Sequence, residues 1–150
     1  LVQFGIELIV LSGVLVIVAG TSILPYIPLA ALLGIVLAVF SSGIALALGC
    51  LAVYFRDLKY LWAIALQVWF FITPVVYPPS LAEAQLPNWA QTVLQINPMV
   101  HFVGAFRDLL YHAQIPDIQR IGIIVLSALV SLVIGWSLFN RLSPRLPEEV

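Results

Sequence analysis

Four apolar stretches, over residues 4–24, 29–55, 61–77 and 118–139, set the terms on which this chain can fold. A helix that crosses a bilayer needs about 20 mostly apolar residues, and each stretch meets or approaches that length. The chain is 63% hydrophobic and only 9% charged, with a mean hydropathy of +1.13. Soluble domains carry about 25% charge, so one soluble core of this length could not hide so much apolar surface. Lipid is the expected solvent for much of the chain, and the reading is an all-α polytopic membrane protein with four transmembrane helices. The second stretch exceeds the minimum and has room to tilt or protrude. The third is the shortest, and Pro74 near its end predicts a kink or an early unwinding.

Charge and cysteine content remove several function classes. A formal net charge of −1 leaves no basic footprint for nucleic acid. The single cysteine, Cys50, permits neither an intrachain disulfide nor a metal centre built on cysteine pairs. The chain opens on Leu1 with no basic leader, and is expected to be a fragment that begins inside or just before a membrane segment.

Lysine and arginine positions predict the orientation. Arg56 and Lys59 lie in the tight turn between the second and third stretches, and Arg141 and Arg145 follow the fourth. If the spans alternate, these sites share one side, which the positive-inside rule makes the cytoplasm. Residues 21–28 and 78–117 then face outward, with Arg107 and Arg120 as exceptions to the charge bias. The segment 78–117 is too long for a simple loop and too apolar for a disordered one. Within it, residues 87–96 predict a short helix, and Asn97-Pro98 reads as an N-cap followed by proline at the first helical position. The helix so started, about 98–111, would be roughly 20 Å long, too short for a hydrocarbon core of about 30 Å. Two short apolar helices before the last span suggest a re-entrant pair, tolerated only where its backbone is buried in protein or faces water. A hairpin lying in the interface is the plainer alternative.

Several side chains stand out. Gly34, Ala38, Ser41, Ala45, Gly49 and Ala52 form a small-residue stripe on the second stretch, of the kind that lets membrane helices approach closely. On the third, Tyr60, Gln67 and Phe71 share one face, flanked by Phe70 and Pro74, while Trp62, Leu66, Trp69 and Thr73 share the opposite one. Gln67 is costly in lipid and is expected to face the bundle or a wet cavity. Aromatic rings beside a polar group offer a surface for sugar rings, so Tyr60, Gln67, Phe70 and Phe71 are candidates for a transport path; core packing and an interfacial belt would use the same residue types. Arg56 and Asp57 suit either interfacial anchoring or contact with a cytosolic partner, and Glu7 is placed to snorkel. Arg107 is expected to face water or pair with a carboxylate, Asp108, Asp117 or Glu83 being at hand. His101, Asp108 and His112 fall on one face of an ideal helix and supply the ingredients of a metal or acid–base site. Their axial spread of roughly 16 Å is too long for one metal without help.

The run Tyr54-Phe55-Arg56-Asp57-Leu58, an aromatic span closing on Thr73-Pro74-Val75-Val76-Tyr77-Pro78, then Ile96-Asn97-Pro98-Met99 and Phe106-Arg107-Asp108-Leu109-Leu110 resemble the ABC type-2 transporter permease family. Within it the likeness is to polysaccharide and polyol-phosphate exporters, which move O-antigen, capsule or teichoic-acid chains. The ordered set of four motifs carries the resemblance, from about residue 24 to the end. It implies that residues 1–150 are the C-terminal part of a six-span permease in the cytoplasmic membrane, holding its third to sixth spans. An amphipathic interface helix and two spans would precede them. It also implies a second copy of the permease, two separate ATP-binding-cassette subunits, and a glycan or lipid-linked polymer as cargo. The chain has no G-x-x-x-x-G-K-[ST] phosphate loop, so no cofactor is expected in it; ATP and Mg would be held by the partner ATPase. Carried over by motif, Arg56 and Asp57 would lie near that partner or the interface helix, and Asn97, Pro98 and Arg107 would shape an outer gate. A drug or lipid exporter permease of the same family is the alternative function, and a membrane-embedded enzyme using His101, Asp108 and His112 is a third.

Overall fold

The computed structural model describes residues 2–19, 21–55, 57–73, 75 and 87–142, and every regular element among them is helical. Helix α1 spans Val2–Ala19 and is followed by a 3₁₀ helix, Thr21–Tyr26. Then come α2 (Ile27–Tyr54), α3 (Leu58–Ile72), α4 (Asn88–Ile96), α5 (Pro98–Leu110) and α6 (Ile118–Leu142).

Prolines set most of these boundaries. The first apolar stretch was expected to run to residue 24, but α1 ends at Ala19 and Pro25 sits in the 3₁₀ helix. A proline lacks the amide donor and clashes with the carbonyl four residues back, so one α-helix cannot pass through it. Pro28 occupies the first turn of α2, where the missing N–H costs nothing. The third stretch, expected to reach residue 77, holds a helix of only 15 residues, about 22 Å long. Thr73 caps it in an extended conformation (φ −83°, ψ 127°), as the residue before a proline prefers. Among the described residues two segments are long and apolar enough to cross a membrane, Ile23–Tyr54 and Ile118–Leu142, with mean hydropathies of 2.5 and 2.4.

Those two segments form the spine of the fold. The Ser131 hydroxyl of α6 donates to the Phe40 carbonyl of α2 at 2.8 Å. Further along, Gly135 lies against the Gly43 backbone so closely that a Cβ on it would sit 2.8 Å from the Gly43 carbonyl carbon. At the far end the Tyr54 hydroxyl reaches the Leu142 carbonyl at 3.5 Å. Partners therefore advance together along both helices, so α2 and α6 run parallel and end at the same level. The segment between them must return the chain to the level where α2 began.

The tight face of α2 is not the stripe expected from the sequence. Phe40, Gly43 and Cys50 are buried, whereas Ser41, Ala45, Gly49 and Ala52 are exposed. A Cβ on Gly49 would meet nothing within 4 Å. Small residues occur on several faces of α2, and Gly43 has a glycine, Gly135, opposite it.

Helix α5 packs antiparallel to both long helices. Phe102 and Ala105 join Phe40, Ile124 and Ala128 in one core cluster, with the Phe40 and Phe102 rings 5.6 Å apart. Leu109 and Leu110 pack with Ile23 and Ala30 in a second cluster, near the start of α2. The N-terminal end of α5 thus lies beside Phe40, about 20 Å along α2 from Ile27 at 1.5 Å per residue. After α5 the chain closes with a left-handed residue, Ala113 (φ 50°), and the Gln114 amide donates to the Asp108 carbonyl at 2.9 Å. That bond spans seven residues, and with the left-handed Ala113 it turns the chain out of the helix.

Candidate functional site

The tip between α4 and α5 is built from local hydrogen bonding. Asn97 is extended (φ −69°, ψ 113°), and its Oδ1 accepts from the Met99 amide at 3.0 Å. This is the N-cap expected from Asn97-Pro98, with Pro98 in the first turn. The Asn97 amide donates to the Val93 and Leu94 carbonyls, each at 3.2 Å. His101 Nε2 donates to the Gln95 carbonyl at 2.8 Å. The last carbonyls of α4 are thus satisfied by the residues that start α5.

Asn97 also reaches α3. The Trp69 indole Nε1 donates to Asn97 Oδ1 at 2.8 Å, and Asn97 Nδ2 donates to Thr73 Oγ1 at 3.1 Å. The Thr73 hydroxyl in turn donates to the Trp69 carbonyl at 2.9 Å. Asn97 and Thr73 are both buried, at 9% and 4% exposure. The sequence placed Asn97 in a gate but took Trp69 and Thr73 only as the face opposite the path. Their spacing of four residues, one helical turn, was the available signal.

A cleft of about 510 Å³ opens beside this knot. Ser41, Ala45 and Leu48 line it from α2, Trp62, Trp69 and Phe70 from α3, and Met99 and Val103 from α5. The Trp62 and Trp69 rings meet edge to face at 6.2 Å. Of the four candidate path residues, Phe70 lines the cleft. Tyr60, Gln67 and Phe71 point away from it on the exposed face of α3, Tyr60 and Phe71 at 63% and 66% exposure. Phe70 and Phe71 touch edge to face at 5.7 Å.

Asp108 of α5 forms an ion pair with Arg120 on α6. The Arg120 guanidinium lies over Gly104, where a Cβ would meet its Nη1 at 3.2 Å. Arg107 is half-buried on α5, and Asp108, next to it in sequence, pairs with Arg120. Of the other carboxylates considered for Arg107, Asp117 is exposed and Glu83 lies outside the described residues. At the α2–α3 turn Asp57 is exposed and Lys59 Nζ sits 4.8 Å from the Tyr60 ring centroid. Arg56 also lies outside the described residues.

The histidine constellation does not assemble. Helix α5 ends at Leu110, so His112 lies beyond it, stacked edge to face on Tyr111 at 5.1 Å, while His101 is bound at the tip. Among the described residues no group of three or more His, Cys, Asp or Glu side chains is placed to hold a metal ion.

Apolar helices of spanning length, a polar knot among them and an aromatic cleft describe an all-α, multi-pass membrane protein. A sequence profile of the ABC-2 type transporter family matches residues 1–111, and the chain belongs to that family. It is 30% identical over 109 residues to the O-antigen export system permease protein RfbA of Myxococcus xanthus. It is 26% identical over 110 residues to a protein of the same name from Klebsiella pneumoniae. Each match covers 73% of this chain and 40% of the relative, so the chain spans well under half the length of the curated relatives it matches.

Proposed function

We propose that this chain is the C-terminal part of the transmembrane permease of an ATP-binding-cassette exporter that moves a polysaccharide or lipid-linked glycopolymer across the cytoplasmic membrane. The observation that carries the reading is membership of the ABC-2 family together with likeness to permeases named for O-antigen export. Energy would come from separate ATP-binding subunits binding ATP and Mg, and a second copy of the permease would complete the path.

In this reading α1, α2, α3 and α6 lie in four spans. The parallel course of α2 and α6 supports that count, because one net crossing must lie between them. Their adjacent C-terminal ends, joined through Tyr54 and Leu142, support a cytoplasmic level shared by Lys59 and Arg141. Helices α4 and α5 form the re-entrant pair and serve as the outer gate. Support comes from the depth of the tip, beside Phe40 in the middle of α2, and from a tip backbone satisfied by Asn97 and His101. Arg107 lies on the returning arm of the gate. Asp57, with Arg56, would meet the ATPase. Phe70 lines a cleft within one copy, whereas Tyr60, Gln67 and Phe71 would face the path between two copies.

The test is export by the full-length permease with its ATPase. Arg107→Ala and Phe71→Ala should reduce glycan export while insertion and assembly remain normal. Normal export from both variants removes the gate and path assignments. ATP-driven export of a drug or phospholipid, with no glycan moved, overturns the cargo.

A further inference from the structure

The bonds around Asn97 exceed what capping needs. A cap requires one acceptor for an amide of the first turn, which serine or aspartate supplies about as well. Here the asparagine also accepts from the Trp69 indole and donates to the Thr73 hydroxyl. Because Thr73 passes its own proton to the Trp69 carbonyl, the three residues close a ring of hydrogen bonds. Every bond joins the end of α3 to the tip of the α4–α5 pair or to α3 itself.

Helix α3 has few other holds. None of its own residues is buried, and Tyr60, Leu61, Ile64 and Phe71 are all more than half exposed. Its N-terminal end is tied into the Asp57 turn, where the Leu58 amide donates to the Phe55 carbonyl at 3.0 Å. Its other end is tied by the ring. A single helix thus runs from the proposed ATPase contact to the tip of the proposed gate, fastened at both ends. Asn97 and Thr73 are themselves 9% and 4% exposed, so a broken ring has no cheap substitute for its bonds.

We propose that the Trp69–Asn97–Thr73 ring makes α3 and the tip of the α4–α5 pair one moving body, so that a displacement at the Asp57 turn is delivered to the gate. Trp69 and Thr73 are positioning residues in this scheme, and the scheme rests on the permease reading above. It does not depend on which cargo is carried.

The experiment uses the full-length permease with its ATP-binding subunits in proteoliposomes, in a Cys50→Ala background with Ile96→Cys as the reporter on α4. Ile96 is 75% exposed, and its maleimide labelling rate is compared with and without ATP. Trp69→Phe keeps an aromatic ring and removes the donor; Thr73→Val keeps the shape and removes the hydroxyl; Thr73→Ser keeps the hydroxyl. The expected result is that Trp69→Phe and Thr73→Val each shrink the ATP-dependent labelling change at least about fivefold, with ATP turnover and assembly within about twofold of the parent. Thr73→Ser should retain the response, and the Trp69→Phe, Thr73→Val double variant should be no worse than the poorer single variant, since either break opens the ring. A parental labelling rate indifferent to ATP overturns the proposal, as does an undiminished response in both variants. Parallel loss of assembly and ATP turnover makes the ring a packing feature and also overturns it. If labelling responds as expected but no glycan crosses, the cargo reading fails and the link stands.

Discussion

The crossing of α2 and α6 at Gly43 and Gly135 gives the most direct test of the packing. A Cβ on Gly43 would fall inside the Ser131 carbonyl group, and one on Gly135 inside the Gly43 carbonyl. Both obstacles are backbone, which cannot turn aside as a side chain can. Carbon atoms rest about 3.5–4.0 Å apart, so Gly43→Ala must push the helices about 1 Å apart. Overpacking of this kind costs about 1–3 kcal/mol. The shift also stretches the bond from Ser131 to Phe40, and such bonds between membrane helices average about 0.6 kcal/mol. Alanine is a better helix former than glycine by about 0.8–1.0 kcal/mol, which masks part of the loss. Gly49→Ala and Gly122→Ala remove that ambiguity, because a Cβ at either position meets nothing within 4 Å. Gly43→Ala should therefore be less stable than Gly49→Ala by about 1.5–3.5 kcal/mol. Reversible unfolding of the full-length protein from mixed micelles, followed by tryptophan fluorescence, measures the difference. The double variant Gly43→Ala, Gly135→Ala should cost less than the sum, since the first separation makes room for the second methyl. Equal stability of Gly43→Ala and Gly49→Ala would refute the close crossing.

Ala113→Gly should raise stability by up to about 1 kcal/mol in the same assay, because φ 50° is a conformation glycine adopts without the Cβ penalty. Reversing the Asp108–Arg120 pair as Asp108→Arg, Arg120→Asp should recover at least half of the export lost in Asp108→Ala, measured in cells as surface glycan. Single-cysteine labelling in the Cys50→Ala background should find Leu58→Cys shielded from an external reagent in intact cells, as the proposed cytoplasmic placement of the α2–α3 turn requires; external labelling there would invert the topology.

What could be read from the sequence was mostly local. The cap at Asn97 and the start of α5 at Pro98 depend on neighbours two residues away, and both hold in the structure. Boundaries set by a single proline were harder. Pro74 was read as a kink or an early unwinding near residue 77; the helix does end early, at Ile72, with Thr73 already extended. The tight face of α2 was not legible, because a helix this rich in glycine and alanine carries several plausible stripes. Which one is used depends on Gly135 and Ser131, roughly ninety residues further on. The pairing of Asp108 with Arg120 was missed for a related reason, since it forms only after the chain has turned back between α5 and α6. The share of Trp69 and Thr73 in the polar knot likewise exists only once α3 meets the α4–α5 tip.

The parallel pairing of α2 with α6 has a consequence for how the protein is made. Chains emerge from the ribosome at about 5–20 residues per second, so Gly135 follows Gly43 by roughly 5–20 s. For that interval the Gly43 face of α2 lacks the helix that fits it most closely. A nascent chain arrested before α6 would carry that bare groove, along with an α5 lacking one of the two surfaces it packs on. Biogenesis of this protein thus has a late checkpoint: α6, made after the other described helices, is the one that completes the spine.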